Sequence, residues 1–113
     1  MNQRGVAAEA LAAGYLEERG LKIIARNYRC RLGEIDLIAH HGGTTIFIEV
    51  RQRKSSAFGG AAASITARKR VRLLRAARHY LSRMAAMPAC RFDALLIEGD
   101  PPTIEWIRNA FGA

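Results

Sequence analysis

Glu34-Ile-Asp-Leu-Ile-Ala-His40 and Thr44-Thr-Ile-Phe-Ile-Glu-Val-Arg51, with His41-Gly42-Gly43 between them, decide the fold of this 113-residue chain. Both runs read as strands. A Gly-Gly pair between such runs marks a hairpin, because both turn positions accept φ > 0. A two-residue Gly42-Gly43 loop sets His41 opposite Thr44, and the same register places Asp36 opposite Glu49 and Glu34 opposite Arg51. Period-2 alternation then puts Glu34, Asp36, Ile38, Phe47, Glu49 and Arg51 on one face. Ile35, Leu37, Ile46, Ile48 and Val50 fall on the other. That second face is wholly apolar and must be core. The first gathers three carboxylates and a guanidinium. Like charges directly opposed destabilise a sheet, and a divalent cation relieves that repulsion.

The length fits one domain with a real core and leaves no room for two. Half of the residues are hydrophobic, which argues against disorder. No apolar run approaches the 18 or so residues of a membrane span. Met1 to Val6 lead into an Ala/Glu-rich helix rather than an apolar signal segment, so a cytoplasmic protein is expected. Cys30 and Cys90 lack CxxC spacing and fit a reducing cytosol as ordinary thiols, with neither zinc nor a disulfide indicated.

The net charge of +8 points to a polyanionic partner, nucleic acid ahead of an anionic membrane surface. Its distribution sharpens the point. Between Glu49 and Asp93 lie eleven Lys and Arg and no acid, so the positive field begins where the carboxylate cluster ends. The plain alternative is a basic protein that is merely soluble or adheres to polyanions by charge alone.

Working outward from the hairpin, Arg4 to Arg19 reads as a helix with Val6, Ala13 and Leu16 on its apolar stripe, ended by Gly20. Leu21 to Asn27 reads as a first strand. Lys54 to Ala63 is a Ser/Gly/Ala loop. Ser64 or Thr66 caps a long helix to about Ala86, with Pro88 just beyond it. Arg91 to Glu98 is a fourth strand, and Asp100-Pro-Pro102 turns the chain into a fifth, Thr103 to Ile107. The order is αβββαββ. At roughly 100° per residue, Arg68, Arg72, Arg75 and His79 lie within about 60° of one another on the long helix. Leu73, Leu74, Ala77, Tyr80, Leu81 and Met84 cluster opposite, so one face packs on the sheet and the other is a basic ridge. A solvated charged face is the default for such a ridge; the missing acids favour phosphate contact.

Two carboxylates a cross-strand pair apart, with Cβ atoms roughly 5 Å from each other, can share one hard divalent ion. The Val50 carbonyl is expected beside them as a further ligand. Oxygen-only ligation suits Mg2+ or Mn2+ rather than zinc. Such an ion lowers the pKa of bound water and neutralises charge on a phosphodiester under in-line attack. Arg51, on the same face, would point at that phosphate, but a guanidinium cannot serve as a base. The simpler alternative makes Glu34–Arg51 a surface ion pair and Asp36 an ordinary hairpin residue. Exposed pairs add little stability, so that leaves the polar face unexplained. Glu9 projects from the apolar stripe of the first helix. It either needs a partner or a metal, or is an exposed first-turn acid favoured by the helix dipole.

Gly33-Glu-Ile-Asp-Leu-Ile38, Phe47-Ile-Glu-Val-Arg-Gln-Arg53, Phe58-Gly-Gly-Ala-Ala-Ala-Ser-Ile-Thr66 and Arg91-Phe-Asp93 together resemble the bacterial YraN family, assigned to the PD-(D/E)XK nuclease superfamily. The resemblance covers nearly the whole chain. It implies a restriction-endonuclease-like α/β fold, a mixed central sheet flanked by helices, whose αβββαβ core agrees with the order above. It implies Asp36 and Glu49 as the paired acids and Arg51 in the place usually held by Lys. A likeness to archaeal Holliday-junction resolvases, which place a Glu of the first helix in the metal site, points to Glu9; Glu9 or Glu34 would complete the metal shell. The expected activity is Mg2+- or Mn2+-dependent endonucleolytic hydrolysis of DNA, branched or damaged DNA included. The expected partner is nucleic acid, DNA ahead of RNA, with Arg53, Arg68, Lys69, Arg72 and Arg75 on its backbone. A homodimer is compatible with the resemblance, and no membrane is involved. The alternative is a binding module on a nuclease scaffold, which the Arg at position 51 favours.

Other candidates carry less. His40 and His41 flank the turn and would point to opposite faces, and His79 belongs to the basic stripe. Asp93 reads as the partner of Arg91. Tyr15 and Trp106 read as core, leaving Phe58 as the aromatic to test for base stacking.

Overall fold

The computed structural model describes residues 3–53 and 66–110, with side chains described over 7–52 and 66–110. The Lys54–Ala63 loop, Phe58, Ser64 and the Arg53 side chain lie outside these limits. The chain runs α1 (Gln3–Glu18), β1 (Lys22–Cys30), β2 (Gly33–His41), β3 (Thr44–Arg53), α2 (Ala67–Leu81), β4 (Ala89–Glu98) and β5 (Thr103–Ile107). This is the αβββαββ order, and it forms the expected mixed α/β, restriction-endonuclease-like arrangement. The five strands make one sheet in the order β1-β2-β3-β4-β5. All neighbours are antiparallel except β3 and β4, which run parallel. A parallel pair needs a crossover, and the segment containing α2 supplies it.

The hairpin register is the predicted one over its closed end, with His41 against Thr44 and Leu37 against Ile48. Gly42 takes φ +61°, while Gly43 stays outside the left-handed region. That is the pattern of a type II′ turn, not the doubly left-handed type I′ expected from Gly-Gly. The strict alternation predicted for β2 also breaks. Ile35, assigned to the face of Leu37, instead joins Ile38, Phe47 and Phe92 on the side covered by α2. The break falls at Asp36, where the β2–β3 ladder ends.

Both faces of the sheet are core. Ala8, Ala12, Ala13 and Leu16 of α1 cover Leu37, Ala39, Ile46, Ile48, Val50, Leu95 and Ile97. Leu73, Ala76, Ala77 and Leu81 of α2 cover the other face. Complete burial of Leu37, Ile46, Ile48 and Leu95 contributes about 1.5–3 kcal/mol each. Thr66 caps α2, its Oγ1 accepting from the Lys69 N–H at 3.2 Å. The helix stops at Leu81, short of the expected Ala86. There Ser82 donates its hydroxyl to the His79 carbonyl at 2.7 Å. The next N–H groups bond three residues back, Arg83 to Tyr80 and Met84 to Leu81, tightening the last turn and ending the helix. Met84, expected on the buried side, is therefore past the helix and exposed.

Candidate active site

β3 lies between β2 and β4, and alternation past the buried Phe47 delivers Glu49 and Arg51 to the face that α2 covers. β2 brings Glu34 and Asp36 alongside. The first turns of α2 hang Lys69 and Arg72 above them. Close approach of α2 depends on Gly33: a Cβ there would sit 2.1 Å from the Arg72 carbonyl oxygen, so no larger residue fits. The result is a cleft of about 130 Å3 lined by Glu34, Asp36, Glu49, Arg51, Lys69 and Arg72.

Asp36 enters it differently from a simple cross-strand partner. Backbone pairing with β3 ends at Leu37–Ile48, and the Asp36 Oδ2 accepts the Val50 N–H at 2.8 Å instead. A side-chain carboxylate thus closes the ladder and is held by it. Val50 contributes this N–H and does not line the cleft. Glu34 does not meet Arg51; it pairs with Arg29 of β1 at 3.4 Å, both side chains largely exposed. Arg51 Nη2 instead contacts Glu49 Oε2 at 3.3 Å.

Glu49 is only 8% exposed. Burial, a hydrogen bond with Asp36 and the negative charge of Asp36 push its carboxyl from 4.5 up to about 9, against the opposing pull of Arg51 and Lys69. Two acids therefore compete for one small space, a conflict that a divalent cation resolves. The donor set is all oxygen, as Mg2+ or Mn2+ requires. Among the described residues no three acidic, His or Cys side chains form a ready-made metal cage. Two carboxylates suit Mg2+, which keeps several waters and takes further oxygens from a phosphate. Arg51 supplies the complementary signal. Its Nε is buried and lacks a hydrogen-bond partner, a costly state for a guanidinium donor.

Glu9 stands on α1 outside the cleft lining. Asn27 Nδ2 donates to its Oε1 at 2.7 Å. Burial first, then the charges of Asp36 and Glu34, raise the Glu9 pKa, with Asn27 and Arg29 acting the other way. Glu9 is thus electrically part of the acidic group while anchored to β1. Asn27 was invisible in the sequence; only its tolerance of left-handed backbone hints at it. Arg68 and Arg75 are exposed on α2 outside the cleft. His79 is on the surface as expected and shares a hydrogen bond with Tyr28.

Asp93 is fully buried and structural. It accepts from Arg91 Nε at 3.1 Å, from Trp106 Nε1 at 2.8 Å and from the Asn109 N–H at 3.0 Å. The Arg91 pair was legible in sequence; the tie to Trp106 and Asn109, which locks β4 to β5 and its exit, was not.

The sequence profile of the uncharacterised protein family UPF0102 matches residues 8–97. The chain belongs to this family. UPF0102 is thus the family to which the motifs pointed, and its matched stretch contains every residue of the cleft. A UPF0102 protein of Methylobacillus flagellatus is 55% identical over the full length of both chains. One from Nitrosomonas europaea is 56% identical over 96% of this chain and 92% of its own. Another, from Psychromonas ingrahamii, is 50% identical over 97% of this chain and 90% of its own.

Proposed function

We propose that this UPF0102 protein is a metal-dependent, endonuclease-like hydrolase of DNA phosphodiesters, of the PD-(D/E)XK type, working at the Asp36–Glu49 cleft. One observation carries the reading: Asp36 and Glu49 line one cleft together with Arg51, whose Nε is buried and unpartnered. Asp36 and Glu49 would hold Mg2+ or Mn2+, with Glu9 and Glu34 adding negative charge around it. When bound, the ion supplies charge neutralisation and activation of the attacking water. Arg51, in the cleft lining, would steady the phosphate, and its fixed charge favours the pentavalent geometry. It takes no proton.

The basic residues fit this role. The first turn of α2 carries Arg68, Lys69 and Arg70 and no acid. Cations there oppose the helix dipole and cost a few tenths of a kcal/mol or more each. That cost is intelligible where a phosphate backbone crosses the helix end. Arg53, Arg72 and Arg75 would extend the track. Among the described residues no helix is long and apolar enough to cross a membrane. Cys30 and Cys90 are free thiols, as suits the cytoplasm.

The test is Mg2+- or Mn2+-dependent cleavage of a panel of duplex, flapped and four-way DNA. Cleavage that persists in both Asp36→Asn and Glu49→Gln would reject this site. A second reading, a nucleic-acid-binding module without catalysis, draws on the Arg51–Glu49 ion pair at 3.3 Å, in which Arg51 already occupies one oxygen of Glu49. Salt-sensitive DNA affinity without Mn2+ binding would select it.

A further inference from the structure

Asn27 is one of two non-glycine residues with positive φ among the described residues, at +53°. Unlike a turn residue, it lies in the middle of β1. L-residues enter this region at a cost of about 1–2 kcal/mol, with Asn among the most tolerant. Such conformations persist only where surrounding structure maintains them.

The sheet shows what the distortion accompanies. Immediately on either side of Asn27 the β1–β2 ladder is paired, Arg26 with Leu37 and Tyr28 with Ile35. The position between them, Asn27 opposite Asp36, is absent from the ladder. On its other side Asp36 has also left the ladder, taking the Val50 N–H with its side chain. The sheet is therefore opened around Asp36 from both flanks. At that opening the Asn27 amide leaves its own strand and grips Glu9 of α1 at 2.7 Å.

We propose that Asn27 is a positioning residue for the cation site: its left-handed backbone aims the amide at Glu9 and fixes that carboxylate, whose charge adds to the field at Asp36 that binds the ion. This rests on the metal reading above. A purely structural alternative is that the Asn27–Glu9 bond only ties α1 to β1.

The two differ in what they predict for metal affinity. Glycine adopts φ +53° without strain, so Asn27→Gly removes the amide while sparing the backbone. Mn2+ affinity would be measured by calorimetry and by the free-ion electron paramagnetic resonance signal. The wild type, Asn27→Gly, Glu9→Gln and the double variant would be compared, each first shown to be folded by circular dichroism. Partners that orient a metal ligand typically contribute about 10–100-fold in affinity. About a tenfold loss is expected in Asn27→Gly, and no further loss when it is added to Glu9→Gln, since Asn27 acts through Glu9. Unchanged affinity in Asn27→Gly, or equal losses with and without Glu9, would each overturn the proposal. A wild type that binds no Mn2+ would instead bring down the metal reading, and this inference with it.

Discussion

Replacing Glu49 by Gln should stabilise the metal-free protein at alkaline pH, which is unusual for a mutation at a site of proposed function. The Glu49 carboxyl is raised from 4.5 to about 9 by its burial and by Asp36. Below about pH 4.5 the folded and unfolded chains both hold the proton, and its contribution to stability is fully present. As pH climbs from there towards 9 the unfolded chain releases the proton while the folded chain keeps it, so stability is progressively lost. The loss is about 1.4 kcal/mol for each pH unit over which only the folded chain keeps the proton. Glutamine has no proton to lose and escapes this dependence. Urea unfolding in chelator, from about pH 5 to about pH 8, would measure both chains; titrating groups remote from Glu49 are common to them and largely cancel. The Glu49→Gln advantage should widen by several kcal/mol across that range. Mn2+ at about one hundred times its Kd should return about 2.7 kcal/mol to the wild type and far less to the variant. A stability difference that stays flat with pH would refute the reasoning that burial and Asp36 hold a proton on Glu49.

Three further outcomes follow from the geometry. Asp93→Ala strands the donors on Arg91, Trp106 and Asn109, and breaking such a buried set should cost about 3–5 kcal/mol in denaturant unfolding. Gly33→Ala places a methyl 2.1 Å from a helix carbonyl; α2 must move, and calorimetric melting should show a loss of about 1–3 kcal/mol. Lys69→Ala and Arg72→Ala should each reduce the slope of log DNA affinity against log salt by about 0.9, the value for one lost phosphate contact; unchanged slopes would remove α2 from the DNA path.

The parts of the fold that local chemistry dictates were legible. The Gly42-Gly43 turn and the strands beside it give the hairpin register, and the 3.6-residue pattern gives the buried face of α2. Thr103–Ile107 forms the strand read for it, bounded by Asp100-Pro-Pro102. What sequence could not show arises between elements. Ile35 crosses to the α2 side because the ladder opens at Asp36, and that opening depends on Val50 and Asn27 together. Glu34 chooses Arg29 over Arg51 because β1, whose pairing has no turn signal as strong as Gly-Gly, is its nearer neighbour. In the cleft the residue types Asp36, Glu49 and Arg51 were readable from spacing. The orphaned Arg51 Nε and the Asn27 anchor required three dimensions.

β1 is an outermost strand of the sheet, nine residues long, and such a margin ordinarily invites another chain to hydrogen-bond along it. Here the register slips between Ile23 and Ala25, and four residues beyond the start of that slip the backbone turns left-handed at Asn27. No uninterrupted row of amides and carbonyls survives for a newcomer to copy. Smoothing β1 into a regular strand would restore a continuous row of pairing groups along this margin, the feature that such a distortion interrupts.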